Sequence, residues 1–234
     1  MTNMTNNMTN EVISKIRTVK ETTNSIEIRG RISSELTFSH EIHGEGFYRF
    51  TIETERLSEY VDLLPVTISG RLCYGLNLVP GNYVNIYGQV RSYNSYLKEE
   101  QRNRLHITVY AFVVELLDYV LSPLMQANNV LLDGFICKNP IFRVTPFGRE
   151  IADILLAVNR PNNKSDYIPC VCWGRNARFA SMLDVSTRIR IGGRFQSRAY
   201  QKKYDDGSVV EKSAYEISVS RIELRALLAD ERTG

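Results

Sequence analysis

The 234-residue chain has an ordinary composition for a folded protein, with 43% apolar residues, 24% charged residues and a net charge of +3. It contains no run of 18 apolar residues and no apolar signal region at the N-terminus, so we expect neither a membrane span nor secretion. Its four cysteines are too few and too unevenly spaced for a disulfide framework. These features predict a soluble cytoplasmic protein with free thiols.

The chain contains an internal repeat of about 100 residues. Residues 128–176 align with residues 24–72 at a constant offset of 104, and residues 186–195 align with residues 81–90 at an offset of 105. A period of this length is too long for a solenoid and indicates a duplicated domain. We expect domains over 24–118 and 128–226, a flexible segment over 1–23, a linker over 119–127 and a short tail over 227–234.

Each repeat shows three strands, a short helix and two further strands. In the first repeat the strands are expected near 26–33, 46–54, 63–69, 83–93 and 104–116. In the second they are expected near 130–136, 149–158, 167–173, 188–200 and 212–224, with the helix over 177–183. Five strands with a helix between the third and fourth is the order of an OB-fold, a small Greek-key barrel. The predicted fold class is therefore all-β, with two tandem OB-folds.

The two repeats differ in charge. Residues 24–118 contain 9 Lys/Arg and 12 Asp/Glu, a net charge of −3, whereas residues 128–226 contain 16 and 10, a net charge of +6. Copies of one domain whose net charges differ in sign do not share one surface function, and the basic copy is the candidate for binding a polyanion.

The third predicted strand of the second repeat places two large aromatic residues on one face. Tyr167, Val171 and Trp173 are separated by even numbers and therefore share a face. The opposite face holds the small and apolar residues Ile168, Cys170 and Cys172. Large aromatics are usually buried, so a core position is the alternative for Tyr167 and Trp173. The other interpretation is an exposed face on which bases stack, and the alternation favours it only in combination with the family resemblance of this segment.

Four segments of the second repeat occur in the order and spacing of a known family. They are NVLLDG at 129–134, LAVNR at 156–160, DYIPCVCWGR at 166–175 and GRFQSRAY at 193–200. The second repeat thereby resembles the DNA-binding domain of bacterial single-stranded DNA-binding proteins, the SSB family. The first repeat is recognisable mainly through its alignment to the second. The resemblance implies that single-stranded DNA wraps over the barrel in replication, recombination or repair.

The resemblance also implies which residues bind DNA. Tyr167 and Trp173 fall at two stacking positions of the family and Tyr200 at a third, where the fourth strand becomes a hairpin. The basic residues expected to contact phosphates are Arg160, Lys164, Arg175, Arg194, Arg198, Lys202 and Lys203. Stacking stabilises binding by about 1–3 kcal/mol per base and tolerates any sequence. The alternatives are an ordinary hairpin tyrosine and solvated charged loops.

The first repeat departs from the family at the stacking positions, where it has Leu63 and Ser69. Other aromatics that would supply a platform are Phe47, Tyr93 and Tyr96, but four acidic residues crowd the corresponding loop: Glu53, Glu55, Glu59 and Asp62. We therefore expect the first repeat to be a structural half or a surface for a protein partner.

The family resemblance also bears on assembly and partners. Family members commonly assemble with four OB-folds, so a homodimer of this chain is expected. Residues 227–234 lack the acidic, aromatic tip through which SSB proteins recruit replication and repair enzymes, so recruitment by that route is not expected.

An enzyme is not expected, because the chain has no glycine-rich phosphate loop and no G-x-S-x-G turn. His40 and His43 have H-x-x-H spacing, but only His106 remains to complete a metal site, so no metal and no cofactor is expected. Two other functions stay open: a protein-interaction adaptor that binds DNA weakly or not at all, and an RNA-binding protein.

Overall fold

The computed structural model describes residues 23–97, 101–118, 127–204 and 207–226, and these residues form two barrels of β-strands. The expected flexible segment lies outside the described residues apart from Thr23, the linker apart from Ala127, and the tail entirely. The predicted all-β class with tandem OB-folds is confirmed. In the part of the chain that is described, no helix is long and apolar enough to cross a membrane.

The strands of the first barrel form a sheet that closes into a ring through β1. Its elements are β1 Asn24–Ile32, β2 Thr37–Ile42, β3 Glu45–Glu55, β4 Val61–Ser69, α1 Gly70–Cys73, β5 Tyr83–Leu97 and β6 Arg102–Leu117. β1 pairs antiparallel with both β3 and β5, and β4 pairs in parallel with β6, which completes the ring. β2 pairs only with β3 and was not predicted, because its half-exposed residues lack an apolar alternation.

The second barrel repeats this plan. Its elements are β7 Asn128–Ile136, β8 Ile141–Val144, β9 Glu150–Asn159, β10 Ser165–Trp173, α2 Arg175–Ala180, β11 Arg188–Lys203 and β12 Val209–Leu224. The helix begins two residues earlier than expected, because Gly174 turns the chain with a positive φ of 52° directly after β10. β8 was also missed, since it is an exposed edge strand against β9.

Equivalent glycines keep the two barrels closed in the same way. A Cβ at Gly30 would overlap the carbonyl oxygen of Glu53, and a Cβ at Gly134 would overlap that of Ala157. At both places one strand crosses another at a distance that only glycine allows. The closure of each barrel therefore explains why this residue is the same in both repeats.

The barrels are joined by antiparallel pairing of β1 with β7. Ile26 lies opposite Val130, its own counterpart in the repeat, and the pairs on either side are related by a twofold axis through this point. The ladder is extended symmetrically by hydrogen bonds from the Arg29 amide to the Ala127 carbonyl at 2.8 Å and from the Asp133 amide to the Thr23 carbonyl at 2.7 Å. The sheet is continuous from one barrel into the other.

A buried carboxylate of the first barrel binds the second. Asp62 is 1% exposed, and its Oδ1 accepts hydrogen bonds from the Ser197 amide at 2.8 Å and the Ser197 hydroxyl at 3.2 Å. Arg56 donates to both carboxylate oxygens at 2.7 and 2.6 Å and to the Ser197 carbonyl at 3.2 Å. Arg194 of the second barrel donates to Oδ2 at 3.2 Å.

The same arrangement is repeated in the opposite direction. Asp166, 0% exposed, accepts from the Ser92 amide at 2.6 Å, from Arg160 and from Arg91 at 3.0 Å, while Arg160 donates to the Ser92 carbonyl at 3.0 Å. The Ser92 hydroxyl also accepts from the Tyr167 amide at 2.8 Å. Burial alone would raise the pKa of Asp166, but hydrogen bonds from the two arginines and the Ser92 amide outweigh it and hold the pKa below its ordinary value. We call these two clusters the interdomain lock.

The lock predicts a large loss of stability when either carboxylate is neutralised. We expect Asp62→Asn and Asp166→Asn each to lower the free energy of unfolding by about 3 kcal/mol, because the partly buried arginine partners lose a fully buried counter-ion. Urea unfolding followed by circular dichroism measures this. The control is Asp153→Asn, whose pair with Arg143 is 41% and 49% exposed and should contribute about 1 kcal/mol or less. Equal losses in all three variants would contradict the lock.

Candidate nucleic-acid interface

The outer face of β10 presents the two aromatic side chains that the sequence singled out. Tyr167 is 45% exposed and Trp173 is 40% exposed, whereas Ile168, Cys170 and Cys172 lie in the core. Tyr167 and Trp173 are six residues apart, about 20 Å along an extended strand, so each can meet a different base. We call this pair the aromatic platform.

The space between the two aromatics differs from the expectation. Val171 shares their face, but it is 4% exposed and so is not part of the open surface. Pro169, on the same face, is half-buried and lines a cleft of about 530 Å³ between the barrels. The platform therefore consists of two separate stacking sites with a closed stretch of strand between them.

Tyr200 lies in this interbarrel cleft, half-buried on β11 and opposite Lys212 of β12. Arg198 lines the same cleft, 56% exposed, with Nε 3.5 Å from Glu216. The first barrel contributes Arg49, Tyr93, Arg104 and His106 to the opposite wall. The structure thus brings Tyr200 and Arg198 together, next to Pro169 of the platform strand.

Three of the basic residues named from the sequence project into solvent near these elements. Lys164, Arg175 and Lys203 are exposed, and none of them forms an ion pair with any residue that the structure describes. Lys202 is instead held against the hairpin, with Nζ 4.5 Å from the centre of the Tyr204 ring. The exposed cations surround the platform rather than forming one continuous row.

Two other predicted phosphate contacts, Arg160 and Arg194, are part of the interdomain lock. Their side chains are 23% and 33% exposed, and their donors point at the buried carboxylates of Asp166 and Asp62. Burial and the neighbouring Arg56 lower the pKa of Arg194, and Asp62 only partly offsets this. No sequence signal marks this role, because the partner of Arg194 lies in the other repeat, 132 residues away.

The first barrel lacks a platform at the equivalent positions, where Leu63 is 49% exposed and Ser69 is half-buried. Its expected acidic loop is less repulsive than the sequence suggested. Asp62 is buried in the lock, and Glu53 is paired with Arg31 at 2.8 Å. Two of the four counted carboxylates are therefore matched by arginine.

The thiols of β10 and the ring of His40 have buried or stacked surroundings. Burial raises the pKa of Cys170, and burial together with Asp153 raises that of Cys172 to about 12, so both are protonated thiols at neutral pH. His40 stacks on Phe47 with ring centres 4.9 Å apart. In the described ranges, no three His, Cys, Asp or Glu side chains are placed to hold a metal ion.

Comparison with known proteins assigns the barrel that bears the platform. The sequence model of the Single-strand binding protein family matches residues 127–225, the whole length of the second barrel. The second barrel belongs to the single-strand binding protein family. The match does not extend to the first barrel, in keeping with its lack of aromatics at the family's stacking positions.

Individual relatives of the family show the same extent of similarity. The single-stranded DNA-binding protein of Oceanobacillus iheyensis is 34% identical over 90 residues, which cover 36% of this chain and 55% of the relative. Single-stranded DNA-binding protein A of Bacillus subtilis is 36% identical over 83 residues, covering 32% and 48%. The chain thus spans about half the length of the curated relatives it matches.

A solved structure matches both barrels. The wild-type single-stranded DNA-binding protein of Thermus aquaticus superimposes with a TM-score of 0.67 over 89% of this chain and 98% of that chain. The sequence identity is 17%, so the likeness concerns the fold. It extends well beyond either barrel alone, and it therefore includes the way in which two barrels are combined.

Proposed function

We propose that the protein binds single-stranded DNA without sequence preference and protects it in replication, recombination or repair. The observation that carries this proposal is the half-exposed pair Tyr167 and Trp173 on the outer face of β10, in a barrel of the single-strand binding protein family. A face of this kind stacks bases of any identity, because every base has a π-face. Relatives named as single-stranded DNA-binding proteins support the same substrate.

The charged residues suggest how the phosphates are held. Lys164 lies in the turn that precedes β10, and Arg175 follows Trp173 at the other end of the strand. Lys203 and Lys202 extend the hairpin beyond Tyr200, and Arg198 lies in the interbarrel cleft. Both ends of the platform therefore have a cation for the backbone, and each neutralised phosphate adds about −0.7 to the salt slope.

In this proposal Arg160 and Arg194 support DNA binding by holding other residues in place. Arg160 fixes Asp166, which directly precedes Tyr167, and the Tyr167 amide itself donates to Ser92 of the first barrel. The first barrel thereby holds one end of the platform strand in place. Its contribution to binding includes support for the stacking surface of the second barrel.

The protein is proposed to act by binding rather than catalysis, in the cytoplasm, associated with the nucleoid. Replication or repair proteins are its expected protein partners. An RNA strand offers the same stacking and phosphate contacts as DNA. A protein distinguishes the two through contacts to the 2′-hydroxyl group of RNA. Competition between oligo(dT) and oligo(rU) therefore decides between DNA and RNA.

The fluorescence of Trp173 tests the proposal directly, because it is the chain's one tryptophan. We expect quenching on titration with poly(dT), weakened by salt. Trp173→Ala should reduce affinity about fivefold or more, the equivalent of one lost stack, in anisotropy titrations of a labelled strand. Leu63→Ala, at the matching position of Tyr167 in the first barrel, should change affinity little.

Lack of quenching at low salt in the folded protein would overturn the stacking proposal and favour the adaptor. Equal losses from Trp173→Ala and Leu63→Ala would contradict the assignment of binding chiefly to the second barrel.

We also propose that the chain forms a homodimer, so that the assembly has four OB-folds. Support comes from the presence of two barrels per chain and from the family's use of four. Light scattering should give twice the mass of one chain at micromolar concentration. A mass of one chain that persists at high concentration would contradict this.

A further inference from the structure

The outer face of the first barrel contains an aromatic cleft that is separate from the platform on β10. Its volume is about 750 Å³, and its lining includes His40, Arg49, Tyr93, Tyr110 and Phe112. Arg160 and Pro161 of the second barrel close one end. We call it the first-barrel cleft.

The aromatics of this cleft lie on a different strand from those of the second barrel. Tyr110 and Phe112 are on β6, whose counterpart β12 has Ser218 and Ser220 at the same two positions of the ladder. Phe112 and Ser220 are both the unpaired residue of the β-bulge. The first barrel therefore has aromatics where the second has serines, and lacks them where the second has its platform.

The rings in the cleft are arranged with accessible surfaces. Tyr93, 37% exposed, stacks on His106 with centres 4.8 Å apart and planes 6° apart. Tyr110 and Phe112 meet edge to face at 5.4 Å, and both are half-buried. Burial, Arg104 and Arg49 lower the pKa of His106, which keeps this stacked ring uncharged at neutral pH. Such a surface suits flat, uncharged bases.

The charge around the cleft suits the phosphates of the same ligand. Arg49 is exposed, with its guanidinium 5.2 Å from the centre of the Tyr93 ring, and it forms no ion pair with any described residue. Glu45, the acidic side chain whose charge raises the pKa of Tyr110, accepts a hydrogen bond from the Ser69 hydroxyl and lies 3.6 Å from Arg71. A cation beside aromatic rings is the chemistry that binds single-stranded nucleic acid.

The first-barrel cleft adjoins the interbarrel cleft. Both are lined by Arg49, Tyr93 and Thr108, and the interbarrel cleft reaches Arg198 and Tyr200 of the second barrel. A DNA strand that passes Tyr200 in the interbarrel cleft would therefore meet Tyr93 of the first barrel in the same cleft.

We propose that the first-barrel cleft binds further bases of the same DNA strand that occupies the second barrel. Tyr93, Tyr110 and Phe112 contact the bases, and Arg49 contacts a phosphate. This proposal rests on the proposed function and replaces the expectation that the first barrel is a structural half or a surface for a protein partner.

The test uses the full chain, with Tyr110→Ser and Phe112→Ser, which install the residues of the second barrel, and with Arg49→Gln, whose exposed side chain does not support the fold. An OB-fold covers about 4–16 nucleotides, so an oligo(dT) of about 8 fits one barrel and one of about 30 spans both. Tyr74→Ser, outside the cleft and 92% exposed, is the control.

We expect each cleft variant to bind the long strand about fivefold or more weakly, while the short strand quenches Trp173 with unchanged affinity. Arg49→Gln should also reduce the salt slope for the long strand by about 0.7. If all three variants bind the long strand with wild-type affinity while Trp173 is still quenched, DNA binding by the first-barrel cleft is contradicted and the proposed function is not. Absence of Trp173 quenching in the unmodified protein would overturn both.

Discussion

The relative position of the two barrels depends on one symmetric junction, in which β1 pairs with β7 and two buried carboxylates bind backbone groups of the opposite barrel. Asp62 holds Ser197, and Asp166 holds Ser92, each through the amide nitrogen. Buried charges of this kind are stable only with full hydrogen bonding, and Arg56 and Arg160 supply it in both halves. Because the same bonds form in two directions, the junction within this chain has the geometry of a pair of identical domains.

This junction explains how the strands of the second barrel that are proposed to bind DNA are coupled to the first barrel. Ser197 and Tyr200 lie on the same strand, β11, so the bond to Asp62 fixes the base of the hairpin that presents Tyr200. The hydrogen bond from the Tyr167 amide to the Ser92 hydroxyl fixes the Tyr167 end of the aromatic platform. The two clefts share Arg49 and Tyr93 in their linings, and the proposed route of a single strand over both barrels rests on this. Divergence between the repeats has thus moved the aromatics while leaving the junction intact.

Local sequence patterns predicted the barrel strands and the exposed face of β10, because alternation of apolar and polar residues along a strand reports directly on burial. The same patterns missed β2 and β8, which lie at sheet edges and have no buried face to mark them. They gave no sign of the interdomain lock, since nothing near Arg160 in sequence reveals that its carboxylate partner, Asp166, is buried against the other barrel. The family resemblance does not mark Tyr110 and Phe112, because its stacking positions lie on the third and fourth predicted strands and these two residues lie on the last strand of the first barrel, β6. Contacts between repeats depend on their arrangement in space, which spacing along the chain does not specify.

DNA binding as proposed requires a single strand to lie on the outer face of β10 and along the β11 hairpin. Photocrosslinking of bromodeoxyuridine-substituted single-stranded DNA to the full chain, followed by mass spectrometry of the crosslinked peptides, tests this claim most directly. We expect crosslinks at Tyr167, Trp173 or Tyr200. Crosslinks confined to aromatics away from both clefts, such as Tyr74 and Phe147, each 92% exposed, would contradict it.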